Sequence, residues 1–541
     1  MSRSRTAFTL GLILIIASFL RLYHLKTTPP GLYPDEAMDG TNAQETLQTG
    51  HFKVYYPENN GREGLFMNMQ AVFLKVIGQN EPWVLRLPSA IFGILTVLGM
   101  FSLTRELFRY EIPMSTNIRK QPEDSYIRKK FIFRSEHIAL LSAFLLATSF
   151  WHINFSRISF RAITAPFFLV WAIYFLLLGF NKLARGEKFR YATLFHIIGG
   201  IFFGLGFYTY IAYRVMPLLV LFVIIYFWRI ANRNGWVKNF LHSAAHFLFF
   251  TFIVALPIGW YYLKHPADFL GRTAQVSIFS SPSPIKALAW NTVKTLGMFN
   301  VRGDYNWRHN ISGAPELFWP VGILFLIGII LGIRSIFATK YEKHTNIRKT
   351  ENGFCTFVKN LYFVAENKFG FWVLFLWFAL ALLPVVISNE GIPHALRSIL
   401  LIPPAIMFAA IGGMWFYEFL STKIRKPILF SIFYFLFSII AVQAYYAYFI
   451  SWAQNPNVPG AFATNYAELG HALNALPNNI PKYVVVKTGG VLVNGIPMPA
   501  QTVMFITNTY TKQGQAAKNI HYVLPDEENK IPAGAMKFYL N

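Results

Sequence analysis

The chain has 541 residues, of which 54% are hydrophobic and only 14% are charged. Soluble proteins average about 25% charged residues, so this composition excludes an ordinary soluble protein. The net charge of +24 would suggest nucleic-acid binding elsewhere, but here the basic residues lie mostly in short segments between apolar runs. Membrane proteins fix their orientation in this way, so we expect no nucleic-acid partner. The single cysteine, Cys355, excludes an internal disulfide and a cysteine-based zinc cluster.

Apolar runs recur along the chain at a length that suits membrane helices. A helix needs about 20 apolar residues to cross a bilayer, and about 17 are tolerated. The first run follows Arg3 and Arg5 and resembles a signal peptide, but no small-residue cleavage pattern follows, so we expect an uncleaved span. We predict about eleven spans, at 6–20, 87–104, 137–152, 162–180, 191–213, 215–228, 239–263, 317–333, 371–388, 398–417 and 428–450.

The basic residues of the connections alternate along the chain. If the amino terminus is cytoplasmic, the inner segments hold 27 of the 49 Lys and Arg residues. Short loops carry this signal best, and the segment 182–190 holds four basic residues where the next outer turn holds only Arg214. We therefore predict a multi-pass protein of the cell (plasma or inner) membrane, with a cytoplasmic amino terminus and an extracytoplasmic carboxyl terminus.

Three outer regions are too large to be simple connections. Two are the loops 26–86 and 264–316, which belong to a transmembrane module over 1–450. The third, 451–541, has a helix-like stretch at 466–476 and strand-like runs at 483–486 and 503–506. We predict an all-α polytopic membrane protein with a small extracytoplasmic α/β domain at the carboxyl terminus.

Outer carboxylates near the membrane surface are the leading candidates for chemistry. Asp35 and Glu36 follow the first span, where a carboxylate could act as general base toward a hydroxyl. They could instead be first-turn acids of a helix over 37–47. Glu63 and Arg62 lie in a Gly-Arg-Glu-Gly segment before an amphipathic stretch, and Glu63 could equally be a turn acid. We take Asp35, Glu36 and Glu63 as catalytic candidates and Arg62 as a substrate-binding candidate.

Basic and aromatic residues at the outer ends of spans form a second set. The planar guanidinium fork of arginine binds phosphate oxygens in pairs, and several such donors would stabilise a departing phosphate. Snorkelling at helix ends is the alternative explanation for any single arginine. The candidates for binding a donor phosphate are Arg157, Arg161, Tyr210, Arg214, His394 and Arg397.

The outer segment 302–310 supplies candidates for an acceptor site. Asp304 and Asn310 could line it and Trp307 could stack on a sugar, although a polar turn explains the segment nearly as well. The sequence has no Walker loop, no Gly-x-Gly-x-x-Gly run after a strand and no Asp-x-Asp. An activated sugar outside the cytoplasm would therefore arrive on a lipid. We assign no metal ligands, and a requirement for a divalent metal stays open.

At these residues the chain resembles the GT-C class of membrane glycosyltransferases, and within it the branch of the protein O-mannosyltransferases and the lipid A aminoarabinose transferase. The resemblance covers nearly all of 1–450. It departs from the branch at Gly64, where bacterial relatives usually have proline, and at Ala37-Met38, where the aminoarabinose enzymes have Arg-Tyr. The shared marks are Asp35-Glu36, Gly61-Arg62-Glu63 with Leu65-Phe66, Arg86 to Ala90, Arg157 with Arg161, Tyr208-Thr209-Tyr210 with Arg214, Gly303 to Asn310, and Pro393 to Arg397.

The resemblance implies inverting transfer of a sugar from a polyprenyl-phosphate donor to a hydroxyl of a lipid, glycan or protein, with Asp35 as base. The alternative is a transporter or flippase of a lipid-linked glycan. A transporter predicts ionisable groups near the bilayer midplane, whereas the candidates here cluster at the outer ends of the spans.

Overall fold

The computed structural model describes residues 3–109, 122–269, 277–280, 282–337 and 367–541. Within these ranges ten helices are long and apolar enough to cross a membrane, so the chain is a multi-pass membrane protein of the predicted all-α type. These helices are Ser4–Leu22, Pro82–Leu107, Arg161–Ala184, Phe189–Gly206, Ile211–Arg233, Val237–Lys264, Trp319–Phe337, Lys368–Val386, Ile399–Ser421 and Lys426–Trp452.

The predicted number of spans is about eleven, one more than the ten long apolar helices of the described residues. The predicted span at 137–152 falls on the helix Pro122–Thr148, whose described apolar part, Ser135–Thr148, is too short to count alone. The helix ends at Thr148. A separate short helix, Phe150–Phe155, follows, and Ser149 caps its amino-terminal end. Of the predicted inner loops 105–134 and 334–368, the parts 110–121 and 338–366, with Cys355, lie outside the described residues, and 122–134 belong to the helix Pro122–Thr148.

The helices in chain order are α1 (Arg3–Leu22), α2 (Pro34–Thr49), α3 (Leu65–Ile77), α4 (Pro82–Leu107), α5 (Pro122–Thr148), α6 (Phe150–Phe155), α7 (Thr164–Ala184), α8 (Phe189–Gly206), α9 (Pro217–Arg233), α10 (Val237–Lys264), α11 (Pro284–Gly297), α12 (Trp319–Phe337), α13 (Lys368–Val386), α14 (Ile402–Ser421), α15 (Lys426–Tyr445), α16 (Asn457–Ala461), α17 (Thr464–Ala475), α18 (Gln501–Thr507) and α19 (Lys512–Lys518). The strands are β1 (Tyr55–Tyr56), β2 (Arg62–Glu63), β3 (Lys482–Val486), β4 (Leu492–Val493), β5 (Ile496–Pro497), β6 (Ile520–Val523) and β7 (Met536–Leu540).

The segment between α1 and α4 forms the part of the fold that carries Asp35, Glu36 and Glu63. Proline at the first position and two acids in the first turn favour the start of α2, and Gly50 ends it with φ +71°. The predicted amphipathic stretch is α3, which packs against α2 and α4 and ends at Gly78 with φ +72°. The short antiparallel pair β1–β2 lies between α2 and α3 and sets Tyr56 opposite Arg62.

The carboxyl-terminal region forms a small α/β unit around a parallel sheet in the order β6-β3-β7. Val484 pairs with Tyr522 on one side and Phe538 on the other. The predicted strand at 483–486 is confirmed as β3, and the predicted helix at 466–476 corresponds to α17. The predicted strand at 503–506 is wrong, because these residues lie in α18. All residues of α18 are buried, so the helix has no solvent-exposed face that would give its sequence a helical period.

This unit packs directly on α2. Thr41 donates from its hydroxyl to Gln501 at 3.1 Å, and the Gln44 amide donates to the Phe505 carbonyl at 2.9 Å. The Thr502 hydroxyl donates to the Leu32 carbonyl at 2.9 Å. A Cβ on Gly40 would lie 2.7 Å from the Phe505 ring, so α2 and α18 approach closely only because this residue is glycine. The carboxyl-terminal unit therefore fixes the helix that begins with Asp35 and Glu36.

Candidate active site

Asp35 lies in the first turn of α2 and keeps 36% of its side chain exposed. The Arg62 guanidinium donates to its Oδ1 at 2.6 Å, and the Asn59 amide donates to the same oxygen at 2.7 Å. Neither of these donors uses Oδ2. The carboxylate is therefore held in one orientation through one oxygen, while its other oxygen can meet an acceptor hydroxyl.

Arg62 bridges two carboxylates that lie four residues apart on α2. Its second nitrogen, Nη1, donates to Asp39 Oδ1 at 2.7 Å and more weakly to the Asp35 carbonyl at 3.3 Å. Asp39 is buried, and burial raises its pKa to about 6 although Arg62 and Arg161 oppose the shift. The group of Asp35, Asp39 and Arg62 carries one net negative charge when both acids are ionised.

Glu63 pairs with two arginines that come from later in the chain. Arg161 donates from Nε to Glu63 Oε2 at 3.0 Å, and Arg214 Nη2 lies 3.5 Å from Oε1. Arg214 also donates to the Tyr262 hydroxyl at 2.9 Å and to the Phe269 carbonyl at 2.8 Å. This group therefore carries one net positive charge, the opposite of the Arg62 group.

Two glycines flank the strand that presents Arg62 and Glu63. Gly61 has φ +76°, and a Cβ there would lie 1.8 Å from the Tyr55 hydroxyl. A Cβ on Gly64 would lie 2.1 Å from the Lys53 carbonyl oxygen, and the Gly64 N–H donates to the Val54 carbonyl at 2.8 Å. Proline has neither that space nor that N–H, so the local structure requires glycine at position 64, where the resemblance led us to expect proline.

Glu36 lies next to Asp35 but is fully buried. Arg86 donates to it through two nitrogens, each at 3.0 Å, and the Ser159 backbone N–H donates to Oε1 at 2.7 Å. Arg86 also donates to the carbonyls of Pro29 at 2.6 Å and Gly31 at 2.9 Å. This bidentate pair joins α2, α4 and two loops, so Glu36 has the contacts of a positioning residue.

Arg308 is the arginine near Asp35 whose guanidinium has no hydrogen-bond partner among the described residues. Its guanidinium carbon lies 3.7 Å from the centre of the Tyr33 ring, and its Nε is buried without a partner. Tyr33 directly precedes α2, and burial together with the Asp35 charge raises the pKa of its hydroxyl. A partly buried guanidinium stacked on an aromatic ring two residues from Asp35 is poised to bind an anion.

Arg157 takes a different place from the one expected of a phosphate ligand. It is fully buried and donates to the carbonyls of Leu20 at 3.2 Å, Tyr23 at 2.7 Å and Thr28 at 2.8 Å. Its guanidinium also lies 5.0 Å from the Tyr448 ring centre. These contacts fasten the end of α1 to the segment after α6.

The remaining predicted residues, apart from Tyr210 between α8 and α9, lie in the loop before α12 and the loop before α14. Arg397 is bound to Ser388, to the Glu390 carbonyl at 2.9 Å and to the Glu390 carboxylate at 3.6 Å. Asp304 contacts His309 at 2.9 Å, and His394 at 3.7 Å. Three further predicted residues pack or bond within the fold: Asn310 donates to the Ala314 carbonyl and to Glu316, Trp307 packs against the core and accepts from the Trp452 indole at its carbonyl, and Tyr210 also packs against the core.

Sequence reasoning therefore brought together Asp35, Arg62, Glu63, Arg161 and Arg214, which meet in the structure. It missed Asp39, Arg86 and Arg308 as members of the site. Asp39 was detectable, because it lies one helical turn after Asp35. The lack of a hydrogen-bond partner for the Arg308 guanidinium was not detectable, because it depends on how two distant loops meet.

No family model matches the sequence, and no curated protein matches it. Solved structures do. The crystal structure of the Archaeoglobus fulgidus oligosaccharyltransferase matches with a TM-score of 0.50 and 14% identity over 98% of this chain and 67% of its own. ArnT from Cupriavidus metallidurans, bound to undecaprenyl phosphate, matches with a TM-score of 0.50 and 13% identity over 100% of this chain and 93% of its own. The chain therefore has the GT-C fold that its motifs predicted.

The buried pair of Glu36 and Arg86 gives a prediction about stability. Glu36→Gln should lower the free energy of unfolding by about 3–5 kcal/mol, because it leaves the Arg86 charge buried without its counter-ion. Glu45→Gln on the same helix should cost only about 0–1 kcal/mol, because its pair with Lys53 is partly exposed. Denaturant titration of the purified protein in detergent measures both. A Glu36→Gln protein with normal stability and no activity would return Glu36 to a direct chemical role.

Asp39 gives a prediction about pH. Its folded pKa, raised by burial to about 6, lies above the ordinary 3.8. The stability this group contributes is therefore complete below pH 3.8 and is lost as pH rises through 6. Asp39→Asn removes that loss, so the unfolding temperature of the variant relative to wild type should increase between pH 5 and pH 7. Glu45→Gln should show a constant difference over the same range, and a constant difference for Asp39→Asn would contradict the assignment.

Proposed function

We propose that the chain is a glycosyltransferase that moves a sugar from a polyprenyl-phosphate donor to an acceptor hydroxyl, with inversion at the anomeric carbon. The reaction takes place on the extracytoplasmic face of the cell membrane. In this orientation the amino terminus is cytoplasmic and the carboxyl-terminal unit is extracytoplasmic. The observation that carries the proposal is the division of charge around Asp35. Asp35 is partly exposed and belongs, with Asp39 and Arg62, to a group with one net negative charge. Beside it lie the group of Glu63, Arg161 and Arg214, with one net positive charge, and Arg308, which has no hydrogen-bond partner for its guanidinium among the described residues.

The negative group suits the activation of an acceptor. Asp35 takes the proton of the acceptor hydroxyl as the oxygen attacks the anomeric carbon. Arg62 and Asn59 hold the carboxylate through Oδ1, so the approaching hydroxyl meets Oδ2. Asp39 shares the Arg62 charge, which keeps that guanidinium from fully neutralising Asp35. A positioned base of this kind contributes about 10²–10⁴-fold to a rate.

The positive side suits the leaving group. The bond between the anomeric carbon and the phosphate oxygen breaks, and the electron pair leaves with the polyprenyl phosphate. Arg308 binds the departing phosphate directly, because no side chain of the described residues accepts a hydrogen bond from its guanidinium. The two positive charges of Arg161 and Arg214 exceed the negative charge of Glu63 by one, and this excess adds long-range stabilisation of the departing phosphate. Arg157 and Glu36 hold the surrounding loops in place.

The lipid carrier follows from where the site lies. Asp35 lies shortly after Leu22, the last residue of the apolar helix α1, so a donor that stays in the bilayer can reach it. ArnT, which shares the fold, binds undecaprenyl phosphate. The acceptor is a lipid, a glycan or a protein, and the sugar is a hexose or a pentose.

The direct test is transfer by the purified protein. The protein is incubated with a panel of polyprenyl-phosphate sugars, and consumption of donor is measured with and without candidate acceptors. Asp35→Asn should leave the unfolding temperature unchanged and lower the transfer rate by about 10²–10⁴-fold, because the base is lost.

Glu45→Gln is the matched control, since it removes a carboxylate of the same helix outside the site. Donor movement across liposomes without any sugar transfer would favour a flippase and overturn the proposal. An Asp35→Asn enzyme with the wild-type rate would remove Asp35 as the base.

Arg308 makes a separate prediction. Arg308→Gln should lower kcat/KM for the donor by about 10²–10³-fold, because the charge on the departing phosphate loses its nearest donor. Arg308→Lys should retain part of the rate, since lysine keeps the charge but not the planar fork. Arg302→Gln, an exposed arginine of the same loop, is the control and should behave as wild type. Equal rates for Arg308→Gln and Arg302→Gln would exclude Arg308 from the site.

A further inference from the structure

A second cluster of polar side chains lies on the cationic side of the site. Asp304 and His309 come from the loop before α12, and His394 comes from the loop before α14. Asp304 Oδ2 lies 2.9 Å from His309 Nδ1 and 3.7 Å from His394 Nδ1. All three atoms lie within 4.8 Å of one another, and this is the one such group of His, Cys, Asp and Glu in the described part of the chain.

The donor set is that of a transition-metal site. Two imidazole nitrogens and one carboxylate oxygen suit zinc and related divalent ions. In a tetrahedral zinc site with bonds near 2.0–2.1 Å, the ligand atoms are about 3.3 Å apart. The separations of 2.9 Å and 3.7 Å lie on either side of that value. A cation could therefore enter with movements of a few tenths of an ångström.

His394 can offer a ligand atom at Nδ1. This nitrogen lies 3.4 Å from the Arg397 backbone N–H as its acceptor, so it carries a lone pair and not a proton. The distance of 3.7 Å to the Asp304 carboxylate is too long for a hydrogen bond. A positive ion between the two electron-rich atoms would interact favourably with both.

The ligands are also held in place from outside the cluster. The Asn306 backbone N–H donates to Asp304 Oδ1 at 2.8 Å, and the Ala395 backbone N–H donates to Oδ2 at 2.9 Å. The rings of His309 and His394 lie with their centres 5.0 Å apart at an angle of 32°. Asp304 and His309 are buried, so water competes little for them. Ligands oriented in this way by surrounding hydrogen bonds are typical of metal sites.

We propose that Asp304, His309 and His394 bind one divalent transition-metal cation of the zinc class. The ion ties the loop 304–310 to the loop 393–397. Arg308 directly precedes His309, so the ion also fixes the backbone from which that guanidinium reaches Tyr33. Binding of the ion does not depend on the proposed transferase activity.

Cobalt binding tests the site. The full-length protein, purified without a polyhistidine tag and treated with a chelator, is titrated with Co²⁺ while its visible absorption is recorded. We expect one equivalent of Co²⁺ with the bands of a tetrahedral site, and zinc should displace it. His309→Ala and His394→Ala should each weaken binding by at least about tenfold, since loss of a mere supporting contact already costs about 10–100-fold.

His246→Ala is the control, because its imidazole is bonded to its own helix at the His242 carbonyl, 2.6 Å away, and should not alter the titration. Absence of bound cobalt in the wild-type protein, or the same stoichiometry in all variants, would overturn the proposal. If the two alanine variants fail to fold, X-ray absorption of the zinc-loaded wild type decides. Two imidazole nitrogens and a carboxylate oxygen in the ligand shell support the site, and any other shell excludes it.

Discussion

The site depends on the buried ion pair between Glu36 and Arg86. Neither side chain is exposed, and the pair ties α2 and α4 to the loop carbonyls of Pro29 and Gly31 and to the Ser159 backbone. Such pairs add little stability over apolar packing, but breaking one leaves a buried charge and costs about 3–5 kcal/mol. The pair therefore acts as a constraint on geometry: only one arrangement of these four segments satisfies it. That arrangement leaves Asp35, the preceding residue, partly exposed.

The charges around this constraint are divided, and the division has a physical reason. Two carboxylates on one face of α2 would repel each other, and Arg62 lies between them. Glu63 follows Arg62 in the same short strand, so its side chain points to the opposite face of the strand and meets a different pair of arginines. The two-residue strand β2 thus separates an acidic group from a basic group. Reaction between a hydroxyl and a phosphate ester needs both signs of charge within a few ångströms.

Much of this arrangement could be predicted from the sequence. The class of fold followed from the apolar runs. Asp35, Arg62 and Glu63 were selected from the predicted outer loop 26–86, and Arg161 and Arg214 from predicted outer ends of spans. What could not be predicted was how each charge is paired. Glu36 and Asp35 are adjacent in sequence, yet one is sealed against Arg86 and the other is open. The difference arises from the packing of α4, which lies fifty residues away. The helix at 501–507 was missed for a related reason, since a segment buried on all sides shows no period.

The two sides of the site are stabilised by different kinds of cation. Between Asp35 and Asp39 the charge is a guanidinium, which cannot dissociate and cannot lose its proton in the physiological range. It therefore keeps Asp35 oriented without depending on a bound ion. On the other side, Arg308 extends from a loop whose neighbouring residue, His309, belongs to the proposed metal cluster. Asp35 is then oriented by a residue of the chain itself, while the position of Arg308, the proposed phosphate ligand, can respond to a dissociable ion. Loss of that ion would weaken the proposed contact between Arg308 and a donor phosphate and leave the contacts of Asp35 intact.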